Sequence, residues 1–131
     1  MKYVPNNYKD NLNGTITDLA TGLMWRQAGS DWLAYRKSRQ YVQELNREHF
    51  AGYKDWRLPT IDELTSLLEL EKQSNDHYID PIFDSKQWWC WNSDTVKGSS
   101  GLAWDVNFYN GSVTRLHLDY NYYVRLVCAG Q

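Results

Sequence analysis

Thr60-Ile61-Asp62-Glu63 constrains the fold of this chain more than any other four residues. A Thr followed three positions later by Glu is a capping box, in which each side chain bonds the other's backbone amide at the start of a helix. Pro59 stands just before it, and Asp62 and Glu63 put negative charge in the first turn, where the helix dipole favours it. Ile61, Leu64, Leu67 and Leu68 then share one face, predicting a helix to about Leu70. From Trp88 onward the apolar spacing changes to the alternation of strands. Helices followed by a run of antiparallel strands predict an α+β domain.

The other elements fill in around that helix. Residues 1–13 are polar and Asn-rich and read as an irregular lead-in, leaving residues 14–131 as a single domain. Gly14 to Asp18 and Leu23 to Arg26 read as a small hairpin about a turn at Ala20-Thr21-Gly22. Asp31 is placed to cap a first helix near Trp32, with Ala34, Ser38, Tyr41, Val42 and Leu45 at helical spacing and Gly52 beyond its end. Glu71 to Asp84, interrupted by Pro81, reads as loop. Strands follow at Trp88–Asn92, Leu102–Phe108, Ser112–Leu118 and Tyr123–Val127, with Asn110-Gly111 as a tight turn, since both residue types tolerate positive φ.

Charge and cysteine content exclude several function classes. The net charge is -2, and from Gly98 to Gln131 the only charged side chains, Asp105, Arg115, Asp119 and Arg125, cancel. That argues against nucleic acid, which is bound through pooled positive charge. No apolar run reaches the length of a membrane span, so no membrane insertion is expected. The N-terminal residues lack a signal peptide's apolar core; the expected location is cytoplasmic, or surface or secreted if an export signal lies outside this chain. Cys90 and Cys128 are read as either one disulfide or two free buried thiols. His49, His77 and His117 are scattered, so no metal or other cofactor is expected.

Five phrases recur in a familiar order. They are Asp18-x-x-Thr21-Gly22-Leu23-Met24-Trp25, Trp56-Arg57-Leu58-Pro59-Thr60 leading into Glu63-Leu64, and Trp91-Asn92-Ser93-x-Thr95, then Ala103-Trp104-x-Val106-x-Phe108-x-x-Gly111 and Tyr123-Val124-Arg125-x-Val127. Together they resemble the Lcl C-terminal domain family, bacterial domains mostly of unassigned function, named after the end of a collagen-like adhesin. The resemblance spans roughly residues 14–130. It implies a C-type-lectin-like fold, with two helices packed on a twisted antiparallel sheet. The best-known member is credited with binding sulfated glycosaminoglycans as a trimer. This chain has no collagen-like segment, and its net charge of -2 weakens any transfer of that ligand. Most matched residues have structural explanations; Arg57 and Arg125 are expected to be buried and paired with Asp18 or Asp55, because a buried guanidinium demands acceptors.

Enzymes of the same fold class include formylglycine-generating enzymes, whose two cysteines lie close together near the C-terminus. Cys90 and Cys128 are far apart in sequence, so that motif is absent and the chain is read as not an enzyme. A formylglycine-generating-type or thiol-dependent enzyme of the same fold is the alternative, and a module that oligomerises a longer surface protein is a second. Trp91-Asn92-Ser93-Asp94 resembles half of a calcium-dependent sugar site, but no Pro follows a Glu or Gln to supply the other half.

The remaining candidate is the C-terminal hairpin face. Trp104, Val106, Phe108 and Val113 are expected inward, leaving Asp105, Asn107, Tyr109, Ser112 and Thr114 outward. The expected ligand-binding residues are Asn107, Tyr109, Asn110, Ser112, Thr114, His117, Asp119, Tyr120, Asn121 and Tyr122. Tyr offers contact area at low entropic cost and Asn adds adaptable hydrogen bonds, so the expected partner is a glycan or a protein. Related C-type-lectin-like domains are receptor proteins diversified by retroelements in this same region.

Overall fold

A computed structural model of the chain describes residues 7–95, 102–117 and 121–130. It is α+β, with two α-helices and two sheets. The first sheet runs β1 (Tyr8–Asp10), β2 (Thr15–Asp18), β3 (Met24–Arg26) and β9 (Val127–Cys128), all antiparallel. The second has the order β4 (Leu33–Ala34), β8 (Asn121–Val124), β5 (Trp89–Thr95), β6 (Leu102–Asn107) and β7 (Ser112–His117). Within it β5 and β8 run parallel, so the sheet is mixed and not purely antiparallel.

Several expectations are corrected. The lead-in is not wholly irregular, because Tyr8–Asp10 pairs with β2 and the Tyr8 ring meets Phe83 edge-on at 5.1 Å. Helix α1 spans Tyr35–Arg47 and has no side-chain cap. Its start is delayed because Leu33 and Ala34 pair with β8, and the Asp31 carboxylate meets Lys86 Nζ instead at 2.5 Å. Tyr123 to Val127 is broken into β8 and β9, which belong to different sheets.

Helix α2 (Ile61–Thr65) has both halves of its capping box: Thr60 Oγ1 accepts from Glu63 N at 3.1 Å and Glu63 Oε1 from Thr60 N at 2.8 Å. It stops well short of Leu70. The Thr65 and Ser66 hydroxyls donate to the Asp62 and Glu63 carbonyls, the next amides bond three residues back, and Glu69 N is drawn away to Tyr78 O. The tighter winding still delivers Leu67 fully into the core beside Leu64.

One core cluster packs α2 against Ile16, Trp25, Cys90, Val106 and Phe108; a second joins Leu45 of α1 to Trp56, Trp91, Val124 and Leu126. Asn46 holds Trp56 in place by bonding both its N (2.7 Å) and its O (2.8 Å). Neither arginine finds the expected partner. Arg57 is partly exposed and chelates Glu63 at 2.7 and 2.8 Å. Arg125 is fully buried, lies over the Phe83 and Phe108 rings, and donates to the carbonyls of Asp84 (2.6 Å) and Gln87 (3.2 Å). Both bonds come from Nη2, while Nε and Nη1 are buried without a hydrogen-bond partner among the described residues. Asp18 caps the hairpin turn through Ala20 N, and Gly22 there takes φ +79°.

Candidate functional site

The second sheet has one face turned to α2 and another turned away from it. Cys90 and Val106 lie opposite each other on the α2 side. Alternation therefore puts Trp89, Trp91, Asp105, Asn107, Ser112 and Thr114 on the other face, with Trp91 opposite Asp105 and Trp89 opposite Asn107. The expected outward orientation is present, but outward does not mean exposed here. Asp105 is 0% and Asn107 5% exposed, because large indoles flank them on the neighbouring strand. Val113 shares the face of Val106, yet it stays 41% exposed because β7 is the edge strand. Trp104 is only half-buried, with the Arg115 guanidinium over its ring.

The β6–β7 connection is longer than the two-residue turn expected of Asn110-Gly111. Asn107 and Ser112 are the last paired residues, and Phe108 to Gly111 form the loop. Asn107 builds it: its backbone O accepts from Gly111 N at 2.8 Å, and its Oδ1 accepts from Tyr109 N and Asn110 N. Asn110 Oδ1 accepts from both the amide and the hydroxyl of Ser112. Gly111 takes φ +77°, a left-handed conformation that favours glycine. Asn107 and Asn110 are thus loop architecture before they are anything else.

This loop lifts Tyr109 to 60% exposure. Its ring meets His77 at 5.6 Å and Trp88 at 6.1 Å, and the three line a depression of about 300 Å³. The contact series continues from Trp88 to Trp89 at 5.3 Å and from Trp89 to Tyr122 at 4.5 Å. An aromatic band therefore runs from the loop across β5 to β8. On the other flank of the loop, Leu68, Leu70, Tyr78 and Val113 line a second depression of about 360 Å³.

Beneath the band lie polar atoms without hydrogen-bond partners among the described residues. Thr114 Oγ1 donates to Asp105 Oδ1 at 2.7 Å, whereas Asp105 Oδ2 and the indole Nε1 atoms of Trp89 and Trp91 are buried and unpartnered. Burial pushes the Asp105 carboxyl up to about 6, against the opposing pull of the Thr114 hydrogen bond.

Of the residues expected to bind ligand, Tyr109, Asn110, Ser112 and Thr114 gather around the loop and the start of β7. His117 ends β7 opposite Leu102. Asn121 is exposed on β8, and Tyr122 is half-buried against Trp89 and Trp91, so both lie on the far side of β5 from the hairpin. Asp119 and Tyr120 lie outside the described residues. The reading of the sequence missed His77, Trp88 and Trp89. Adjacent tryptophans carried the signal for two of them, since alternation cannot send both side chains to one face. Nothing local marks His77, which a loop brings in from a distance.

Cys90 and Cys128 are separate, free, buried thiols. Burial pushes Cys90 up to about 12 and Cys128 to about 11, and the Cys90 thiol donates to Gln87 O at 3.1 Å. Among the described residues no group of three or more His, Cys, Asp or Glu side chains is placed to hold a metal ion, and no helix is long and apolar enough to cross a membrane. Asn92 donates to Trp104 O at 2.6 Å, which ties β5 to β6 in the segment that resembled half a calcium site. The model of the family described as the Lcl C-terminal domain matches residues 14–128. No curated protein matches the chain.

Proposed function

The chain belongs to the Lcl C-terminal domain family, and from that premise we propose that it is a ligand-binding module of C-type-lectin-like fold, and not an enzyme. Its ligand is a surface glycan or protein, held along the aromatic side chains that run from the β6–β7 loop past the start of β5 to β8. The observation that carries this reading is the aromatic band from His77 and Tyr109 through Trp88 and Trp89 to Tyr122, open at the Tyr109 end. Ring faces at such spacing suit the CH face of a sugar or an apolar side chain. Ser112 and Thr114, on the strand face that carries Trp89, and the exposed Asn121 on β8 offer polar groups able to fix orientation. His77, Trp88 and Trp89 thus join the binding face, while Asn107 moves from contact residue to loop support.

The raised thiols support the non-enzymatic reading, because a thiol nucleophile needs a lowered pKa. A glycan array probed with the wild-type chain and with Tyr109→Ala and Trp88→Ala tests the proposal. Both substitutions are expected to weaken every bound glycan on the order of tenfold or more, the scale of one stacked ring. Unchanged binding by folded variants overturns it. The exposed Leu70 and Val113 beside the loop favour one second reading, self-association, which solution mass by light scattering decides.

A further inference from the structure

Away from the aromatic band, at the end of β3, Arg26 is an unusual cation. Its side chain is half-buried, its guanidinium lies 4.7 Å over the Phe50 ring, and its Nη1 donates to the Tyr41 hydroxyl. Among the described residues no ion pair reaches it, and its Nε is buried without a partner. Tyr41 does not supply the missing charge, since burial raises its pKa and keeps the phenol neutral.

Arg26 sits where two depressions adjoin. One, of about 400 Å³, has walls from Phe50, Ile82 and Phe83; the other, of about 300 Å³, has walls from Ser30, Tyr41 and Gln87. Arg26 and Asp84 line both. Lys86 and Asp31 at the rim neutralise each other across 2.5 Å. Among the described residues no ion pair joins Arg26 to Asp84, and Asp84 Oδ1 accepts from Lys86 N; the buried Arg125, bonded to the Asp84 and Gln87 carbonyls, is a further cation near Asp84.

Gln87 completes the polar side. It is 2% exposed, donates from Nε2 to Ser30 O at 3.0 Å, and leaves Oε1 without a partner among the described residues. Gly29 makes room for it, since a Cβ there would stand 2.5 Å from Gln87 Cγ. A simple anion at Arg26 would meet Asp84, and a simple cation at Asp84 would meet Arg26. A ligand carrying an ammonium and a carboxylate on one carbon satisfies both.

We propose that this cleft is a second ligand site, for a free α-amino acid with an apolar side chain. The ligand carboxylate takes the open side of the Arg26 guanidinium, its ammonium takes Asp84 and the Gln87 carboxamide, and its side chain enters the depression walled by Phe50, Ile82 and Phe83. The site is independent of the face proposed above.

Calorimetric titration of the full chain with L-leucine is the test, with acetate and methylammonium as half-ligands and Arg26→Gln and Asp84→Asn as variants. Saturable binding of leucine is expected, with each half-ligand and each variant weaker on the order of tenfold. Arg26→Gln also loses the Phe50 stacking; Asp84→Asn is the milder change, because Asp84 is exposed and Asn keeps the acceptor for Lys86 N, and urea unfolding of both variants checks that they fold. The proposal is overturned if millimolar leucine, isoleucine, phenylalanine and methionine give no saturable heat. It is equally overturned if folded Asp84→Asn binds leucine like wild type, or if acetate alone binds as tightly as leucine.

Discussion

Asp105→Asn removes a carboxyl that the fold holds in an unfavourable charge state. The side chain is 0% exposed, one oxygen accepts from Thr114 and the other is unpartnered. Its pKa rises from 3.8 to about 6 on burial. A raised folded value means that ionisation opposes folding. The penalty is absent below about pH 4, grows as pH rises through 6, and is complete above about 7. At ~1.4 kcal/mol per unit, the shift is worth on the order of 2–3 kcal/mol. Asn keeps an acceptor for Thr114 and carries no charge at any of these pH values. Urea unfolding of both proteins at acid and mildly alkaline pH measures the difference, with equal m-values as the check on two-state behaviour. Near pH 8 the variant is expected to be the more stable by up to that amount, and the gap should close as pH falls toward 4. A difference that stays constant across this range would refute the reasoning, because Asp105 would then ionise as an ordinary carboxyl does.

Other consequences follow from the same packing. Thr60→Ala removes the capping oxygen of α2 and should cost about 1 kcal/mol in urea unfolding; an unchanged midpoint would mean that the reciprocal cap contributes nothing. Gly29→Ala drives a Cβ to 2.5 Å from Gln87 Cγ and 2.6 Å from Val124 O, so a loss of about 2–3 kcal/mol is expected from overpacking. Cys90 and Cys128 should resist a thiol reagent at pH 8 until denaturant is added, and rapid labelling of the native protein would contradict their burial and raised pKa values.

What could be read from the chain was local chemistry. Thr60 and Glu63 reach each other within one turn, so the capping box was visible and the structure has it. The hairpin of β2 and β3 was equally local. Asp31 misled because its partner is Lys86, a contact of tertiary origin that no cap pattern reveals. The end of α2 was misjudged for a related reason, since Tyr78 O, from the following loop, takes the Glu69 amide that a longer helix would have used. In the candidate site, alternation correctly assigned Asp105, Ser112 and Thr114 to one face. Alternation says nothing of what covers that face, and so Asp105 and Asn107 were misread as exposed. Tyr109 was read as outward by strand alternation, whereas the loop that Asn107 builds is what exposes it; His77 was not legible, because it reaches Tyr109 through the loop before β5.

The central claim is that ligand meets the aromatic band. It is tested most directly by the indole N–H signals of the seven tryptophans, followed by NMR while a ligand from the array is added. Trp88 and Trp89 line the band, Trp25 and Trp56 are in the core at 0% and 2% exposure, and Trp32 is 66% exposed elsewhere on the surface. The account predicts that the Trp88 and Trp89 signals shift with saturating amplitude while those of Trp25, Trp32 and Trp56 hold still. Shifts confined to Trp32, with Trp88 and Trp89 unmoved, would contradict it.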